Sequence, residues 1–276
     1  MRALVNHLLR RSRAGFAHRS AGAERWSAGC AEDFPDSRAA VRDPSGTLIP
    51  LTAHFVFGLW DATPLPSRYR TTIARWRQQG WRVKIWNESM VADLLQRYPG
   101  QQALYQQLSR GAQRADLVRY VIVYDEGGFY FDCDCRPGLW SLRDYLVRHH
   151  RDLTALFFVE RVISRRRAHA AASRFPIRRG VSEHPERLAN FAFGCTARHR
   201  ALSELLGTVG ERCRQTPVVF DDYGVLYTTG PGAVTDTIHG LERSAAIGRL
   251  RIDDHRQFMK HLGSGGWRHG KDRRSR

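Results

Sequence analysis

Residues 111–134 constrain this chain more than any other stretch. Between 111 and 126, Ala115, Val118 and Ile122 recur at helical spacing, and Leu117, Val121 and Tyr124 widen that apolar stripe. Gly127 and Gly128 follow, and glycine readily adopts the left-handed backbone that ends a helix. The next six residues alternate with period two. Phe129, Phe131 and Cys133 face one side, and Tyr130, Asp132 and Asp134 face the other. A helix feeding straight into such a strand predicts layered helix and sheet.

The flanking sequence extends the pattern. Residues 51–57 read as a buried strand stopped by Gly58, and 66–79 as a helix between Pro66 and Gly80. Trp81, Val83 and Ile85 alternate along a second strand, and Asn87 caps a helix that runs to about Arg97. Further strands are expected at 154–160, 191–195 and 249–252, a helix at about 198–213, and a turn at 229–232 that opens another helix. This order predicts an α/β fold with a mainly parallel twisted sheet flanked by helices. Residues 161–185 hold seven arginines and no acid before Glu183, and read as a long exposed loop.

The ends differ from the middle. Residues 1–46 form a basic extension, 47–268 the folded domain with order from Ile49, and 269–276 a basic tail. Residues 1–20 are Arg-rich, lack Asp and Glu, and carry Leu4, Leu8 and Leu9. A transit peptide, an amphipathic segment on an anionic membrane and a plain extension all fit. No run of 18 apolar residues occurs, so no membrane-spanning helix is expected.

The 276 residues include 44 basic and 27 acidic side chains, a net charge of +17, with lysine only at Lys84, Lys260 and Lys271. Arg-rich codon usage explains the excess, and so does an anionic partner such as a nucleoside diphosphate. No nucleic-acid motif accompanies the charge, so nucleic acid is not expected as a partner. Five cysteines with no CxxC spacing argue against a disulfide framework or zinc site, and fit a reducing, cytoplasmic compartment, peripheral to the inner membrane if the basic segment docks there. Cys133 and Cys135 read as small buried fillers, and the tryptophans at 76, 81, 86 and 140 as core.

Asp132 and Asp134 carry the chemistry. Two carboxylates about 7 Å apart on one strand face need a counter-charge. A hard cation such as Mn²⁺ or Mg²⁺ prefers oxygen ligands and bridges phosphates. Asp116 and Arg119 sit three apart on the preceding helix, hence on one face.

The run Ala115-Asp116-Leu117-Val118-Arg119-Tyr120, Gly127-Gly128, Tyr130 and Asp132-x-Asp134 resembles the signature of family 32 glycosyltransferases, A-D-x-x-R-Y-x-x-L-x-x-x-G-G-x-Y-x-D-x-D. That family includes yeast-type mannosyltransferases, bacterial capsule and lipopolysaccharide enzymes, and relatives of clostridial glucosylating toxins. Residues 49–58, 81–86, 190–194, 229–232 and 261–267 are similar to other family segments. The resemblance implies a GT-A fold and metal-dependent, retaining transfer of a hexose from a UDP- or GDP-sugar to a glycan, lipid or protein hydroxyl. It implies that Phe57, replacing the family's Trp, stacks on the base, with His54 and Val56 lining that pocket. It implies that Asp116 and Arg119 bind the sugar, that Tyr130 and Asp132 contact ribose and sugar, and that Asp134 ligates Mn²⁺ or Mg²⁺. His261 and Ser264 would complete the metal and diphosphate site, and Trp267 would contact the leaving phosphate. Gly230 would lie near the donor. The segment 261–267 is one residue longer than the family's.

Other readings stay open. His54 on an apolar strand also reads as a hydrogen-bonded core histidine, and residues 229–232 as a plain turn with Pro at a helix start. Asp221-Asp222 and Asp253-Asp254 read as solvated loop pairs. A catalytically inactive sugar-binding relative would keep the same residues. A strand ending in DxD also suits a haloacid-dehalogenase-type phosphatase, but no lysine lies between 134 and 222 to balance its phosphoryl charge.

Overall fold

The computed structural model describes residues 41–59, 64–173, 184–219, 221–242 and 248–263. Residues 1–40 of the basic N-terminal extension, Ser264, Trp267 and the C-terminal tail lie outside them, while 41–46 of that extension are described and ordered.

Asp43 ties down the first described turn. Its carboxylate accepts hydrogen bonds from the amides of Ser45 (2.8 Å) and Leu51 (3.0 Å), which delivers the chain to β1 (Thr52–Val56). Helix α1 (Ser67–Gln78) ends at Gly80, whose φ is +82°, and the chain returns as β2 (Arg82–Trp86). Asn87 caps α2 (Glu88–Gln96) by accepting from the Met90 amide at 3.0 Å. Then come α3 (Pro99–Gln107), α4 (Gly111–Glu126), β3 (Gly128–Phe131) and the short β4 (Cys135–Pro137). The second half runs α5 (Leu142–His149), β5 (Ala155–Val162), α6 (Arg165–Ser173), β6 (Glu186–Cys195), α7 (Arg200–Gln215), α8 (Asp222–Thr228), α9 (Pro231–Glu242), β7 (Leu250–Asp254) and β8 (Met259–His261).

Six strands form one sheet in the order β2-β1-β3-β6-β5-β7. β1 is parallel to β2 and β3, and β5 to β7, while β6 runs antiparallel to both β3 and β5. The sheet is therefore mainly parallel with one reversed strand, as expected. β4 and β8 form a separate antiparallel ribbon. Two apolar clusters fill the two faces: α2, α4, α7 and α9 cover one, α1 and α5 the other.

Helix α4 is buried all round rather than along one stripe. Leu117, Val118, Tyr120, Val121, Ile122 and Val123 are all 0% exposed, because α4 lies between the sheet and the neighbouring helices. Among the described residues no helix is long and apolar enough to cross a membrane.

Four details correct the sequence expectations. The strand ends at Phe131, not Asp134: the Asp132 amide makes the last ladder bond, to the Phe191 carbonyl of β6 (2.8 Å), and the Cys135 amide then donates to the Asp132 carbonyl (2.8 Å), closing a turn. The two carboxylates therefore stand on a turn and not on one strand face. The expected loop at 161–185 contains the end of β5 and helix α6, which Ser164 opens by accepting from the Ala168 amide at 3.0 Å. β6 starts at Glu186, five residues before the expected strand. Trp76, Trp81 and Trp86 are core, but Trp140 is 74% exposed.

His54 takes the core reading of the two. It is fully buried on β1, with Nε2 donating to the Gly127 carbonyl (2.9 Å) and Nδ1 accepting from Trp86 Nε1 (3.1 Å). Both ring nitrogens are used inside the protein, so it does not line an open pocket. Burial pulls its pKa down from 6.5 to about 4, against the Gly127 carbonyl and Glu126, which favour the cation.

Two predictions follow from this packing. Gly128 has φ +95°, and a Cβ there would lie 2.8 Å from the Thr52 carbonyl oxygen. Gly128→Ala is expected to lower the urea-unfolding free energy by about 2 kcal/mol or more. Gly207, in α7 with nothing near its added Cβ, serves as the control: Gly207→Ala should gain up to about 1 kcal/mol. Equal effects at the two sites would refute the clash. The second concerns His54. Above pH 6.5 the imidazole is neutral in both states; as pH falls, only the unfolded chain takes up the proton, so stability is lost towards pH 4. His54→Gln removes that loss, and the stability gap between wild type and variant should narrow by about 2 kcal/mol from pH 7 to pH 5. A gap that stays constant would contradict a buried neutral His54.

Candidate active site

Asp116 and Arg119 face the carboxyl edge of the sheet from α4, one turn apart, and are almost completely buried. Arg119 Nη2 lies 3.1 Å from Asp116 Oδ1, and Nη1 lies 3.2 Å from Asp132 Oδ1. Nη1 also donates to the Asn190 carbonyl at 2.9 Å, and the guanidinium sits over the Tyr130 ring at 4.7 Å. Tyr130 Oη donates to Asp132 Oδ1 at 2.6 Å. On the other side, Asp116 accepts from Asn190 Nδ2 and from Thr229 Oγ1, each at 2.9 Å. One connected network thus runs Thr229–Asp116–Arg119–Asp132–Tyr130.

The electrostatics follow from burial. It pushes the Asp116 carboxyl up to about 6, although Arg119, Thr229 and Asn190 favour the ionised form. Burial works against the Arg119 cation, but Asp132, Tyr130 and Asp116 outweigh it and hold the guanidinium more firmly protonated than usual. A buried charge of this kind is costly if one partner is removed.

The turn after β3 brings Asp134 beside the ribbon. Cys135 pairs with His261 in the β4–β8 register, and the Leu262 amide donates to the Asp134 carbonyl at 3.2 Å. His261 Nε2 then lies 3.2 Å from Asp134 Oδ1 and 3.9 Å from Asp132 Oδ2. The Phe191 ring stacks on the imidazole at 4.0 Å, nearly parallel. Burial would lower the His261 pKa, but Asp134 and then Asp132 raise it above its ordinary value. Ligand atoms of Asp132, Asp134 and His261 all lie within 4.8 Å of one another, and among the described residues this is the group able to hold a metal ion. Two carboxylate oxygens and one imidazole nitrogen suit a divalent metal ion. Beneath the turn, Cys133 and Cys135 are buried, and burial followed by the two neighbouring aspartates pushes both thiols far up.

The remaining expected residues divide. Phe57 is half-buried at the end of β1, its ring edge-on to Tyr69 at 6.0 Å, and Val56 accepts from Cys133 Sγ at 3.5 Å. Gly230 is buried, and a Cβ there would come 2.9 Å from Leu226 Cα. It lets α8 and α9 meet closely, and its neighbour Thr229 is the residue that reaches Asp116. Tyr120 Oη holds that turn by donating to the Thr229 carbonyl at 2.7 Å. Asn190 and Thr229 are the members that sequence reasoning did not place in the site, although both lie in segments noted for their resemblance.

The acidic pairs lie elsewhere. Asp221 caps α8 by accepting from Gly224, and Asp222 pairs with Arg110 at 3.2 Å. Asp253 accepts from Tyr145 Oη (2.8 Å) and Arg251, and Asp254 from Arg256.

A comparison with family models agrees with this constellation. Residues 66–151 match the family model described as glycosyltransferase sugar-binding region containing DXD motif. Among solved structures the chain is similar to the PaToxG glycosyltransferase, with a TM-score of 0.47 and 13% identity over 79% of this chain and 75% of that one. No curated protein matches. The matched region contains Asp116, Arg119, Tyr130, Asp132 and Asp134. The chain therefore carries the DXD sugar-binding region, and it is a glycosyltransferase resembling family 32.

Proposed function

We propose that this glycosyltransferase moves a hexose from a UDP- or GDP-linked donor to a hydroxyl on a glycan, lipid or protein, with retention at the anomeric carbon. The observation that carries this reading is that one buried cation, Arg119, joins the Asp116 end of the network to the Asp132–Asp134–His261 cluster.

Each residue then has a role. Asp134 and His261, with Asp132 Oδ2, would hold Mn²⁺ or Mg²⁺. The bound cation would supply a counter-charge for the donor diphosphate and for its departure. Asp116 and Arg119 keep unused acceptor and donor capacity for the sugar hydroxyls, since a carboxylate oxygen has two lone pairs and guanidinium five N–H groups. Tyr130 orients Asp132 towards ribose and sugar. Half-buried Phe57 would stack on the base, and Val56 would line that side.

Retention is supported by what the carboxylates already do. Asp116 is buried among Arg119, Asn190 and Thr229, and Asp132 is bonded to Arg119 and Tyr130. Neither is an unengaged nucleophile, which favours acceptor attack from the face the diphosphate leaves. The buried cysteines that form no disulfide among the described residues support a reducing compartment such as the cytoplasm.

Two measurements test this. With Mn²⁺ and a panel of UDP- and GDP-sugars, wild type should release nucleotide, EDTA should abolish the release, and Asp134→Asn should lose about a hundredfold or more in kcat/KM. A wild type that never exceeds Asp134→Asn, for any donor or metal, would defeat the enzymatic reading. Thr229→Val keeps the shape and removes one hydrogen bond from Asp116. It should cost about 1–2 kcal/mol in stability and roughly tenfold in kcat/KM. Unchanged kinetics would remove Thr229 from the site.

A further inference from the structure

Leu139 and Trp140 are held out in solvent. Leu139 is 102% exposed and Trp140 74%. Both neighbours are fixed. On one side Gly138 donates its amide to the Phe258 carbonyl at 2.7 Å, and a Cβ at Gly138 would lie 3.0 Å from that backbone. On the other side Ser141 caps α5 by accepting from the Asp144 amide at 3.1 Å. The tip therefore cannot fold its two apolar side chains onto the domain without breaking a clamp or a cap.

The ground around the tip is cationic. Arg136 on β4 and Lys260 on β8 stand directly opposite each other, both exposed, an arrangement that costs energy unless an anion lies nearby. Neither has a carboxylate within 4.0 Å among the described ion pairs. The last turn of α1 adds exposed Arg75 and Arg77 on either side of Trp76, whose Nε1 donates to the Cys135 carbonyl of β4. Helix α1 contains no acidic residue.

We infer that this tip and its cations dock the protein on an anionic lipid bilayer. Two side chains are far too little apolar area for a stable protein interface. A tryptophan and a leucine ringed by Lys and Arg is the chemistry that seats at a headgroup boundary: the rings and aliphatic carbons enter, and the cations meet lipid phosphates. The other end of the same ribbon is the Asp134–His261 cluster. Leu139 is five residues along the chain from Asp134, so the cluster lies at most about 18 Å from the bilayer surface. On the transferase reading, the favoured acceptor is then one carried at a membrane surface.

The test uses the full chain and vesicle sedimentation. Phosphatidylcholine vesicles containing phosphatidylglycerol should bind wild type, pure phosphatidylcholine should bind it poorly, and added salt should weaken the binding. The double variant Leu139→Ser/Trp140→Ser and the double variant Arg136→Glu/Lys260→Glu should each bind about tenfold more weakly, with unchanged circular dichroism and unfolding midpoint because all four side chains are exposed. Asp134→Asn should bind like wild type, so loss of catalysis does not disturb the measurement. Binding by Leu139→Ser/Trp140→Ser equal to wild type would overturn the inference and assign any membrane affinity to the basic N-terminal segment. Sedimentation velocity showing a wild-type dimer that this variant abolishes would overturn it in favour of a second copy.

Discussion

The Arg119 guanidinium is the interaction on which the rest of the site depends. It is buried, it lies between two carboxylates at 3.1 and 3.2 Å, and it rests on the Tyr130 ring. Two carboxylates this close would repel if left alone. With Arg119 between them, α4, the turn after β3 and the Asn190 segment of β6 are drawn to one point. The reversed strand β6 matters for the same reason: it runs beside β3 and delivers Asn190 to Asp116 and Phe191 to His261.

Much of this was readable along the chain because it is local. Asn87 does cap a helix, Gly80 does follow one, and Gly127 and Gly128 have positive φ where the helix gives way to a strand. The spacing of Asp116 and Arg119 placed them on one face, and they pair there. Periodicity could not show that α4 is central. A helix buried on every side has no polar face to mark it, so its charged residues had to be understood as site residues rather than surface ones.

The illegible parts are long-range. Thr229 is 113 residues from Asp116 and Asn190 is 74, so nothing in the local sequence announces either hydrogen bond. The end of β3 is hidden because period two continues through Asp134 while the ladder to β6 does not: its last bond is the Asp132 amide to Phe191, and the Cys135 amide then closes a turn onto the Asp132 carbonyl. His54 could be read two ways, and only the positions of the Gly127 carbonyl and Trp86 decide between them. Trp140 looked like core because tryptophan usually is; a glycine clamp on one side and a serine cap on the other keep it out.

The two thiols beneath the acidic turn bear on which ions can settle there. Thiolates capture zinc and copper, and those metals usually outcompete manganese and magnesium for any site that offers sulfur. Cys133 and Cys135 alternate with the aspartates yet are buried and held firmly as thiols, with Cys133 Sγ turned to the Val56 carbonyl. Only oxygens and one imidazole are presented to an incoming ion. The fold thus leaves sulfur out of the candidate ligand set while keeping it in the sequence directly beside those ligands.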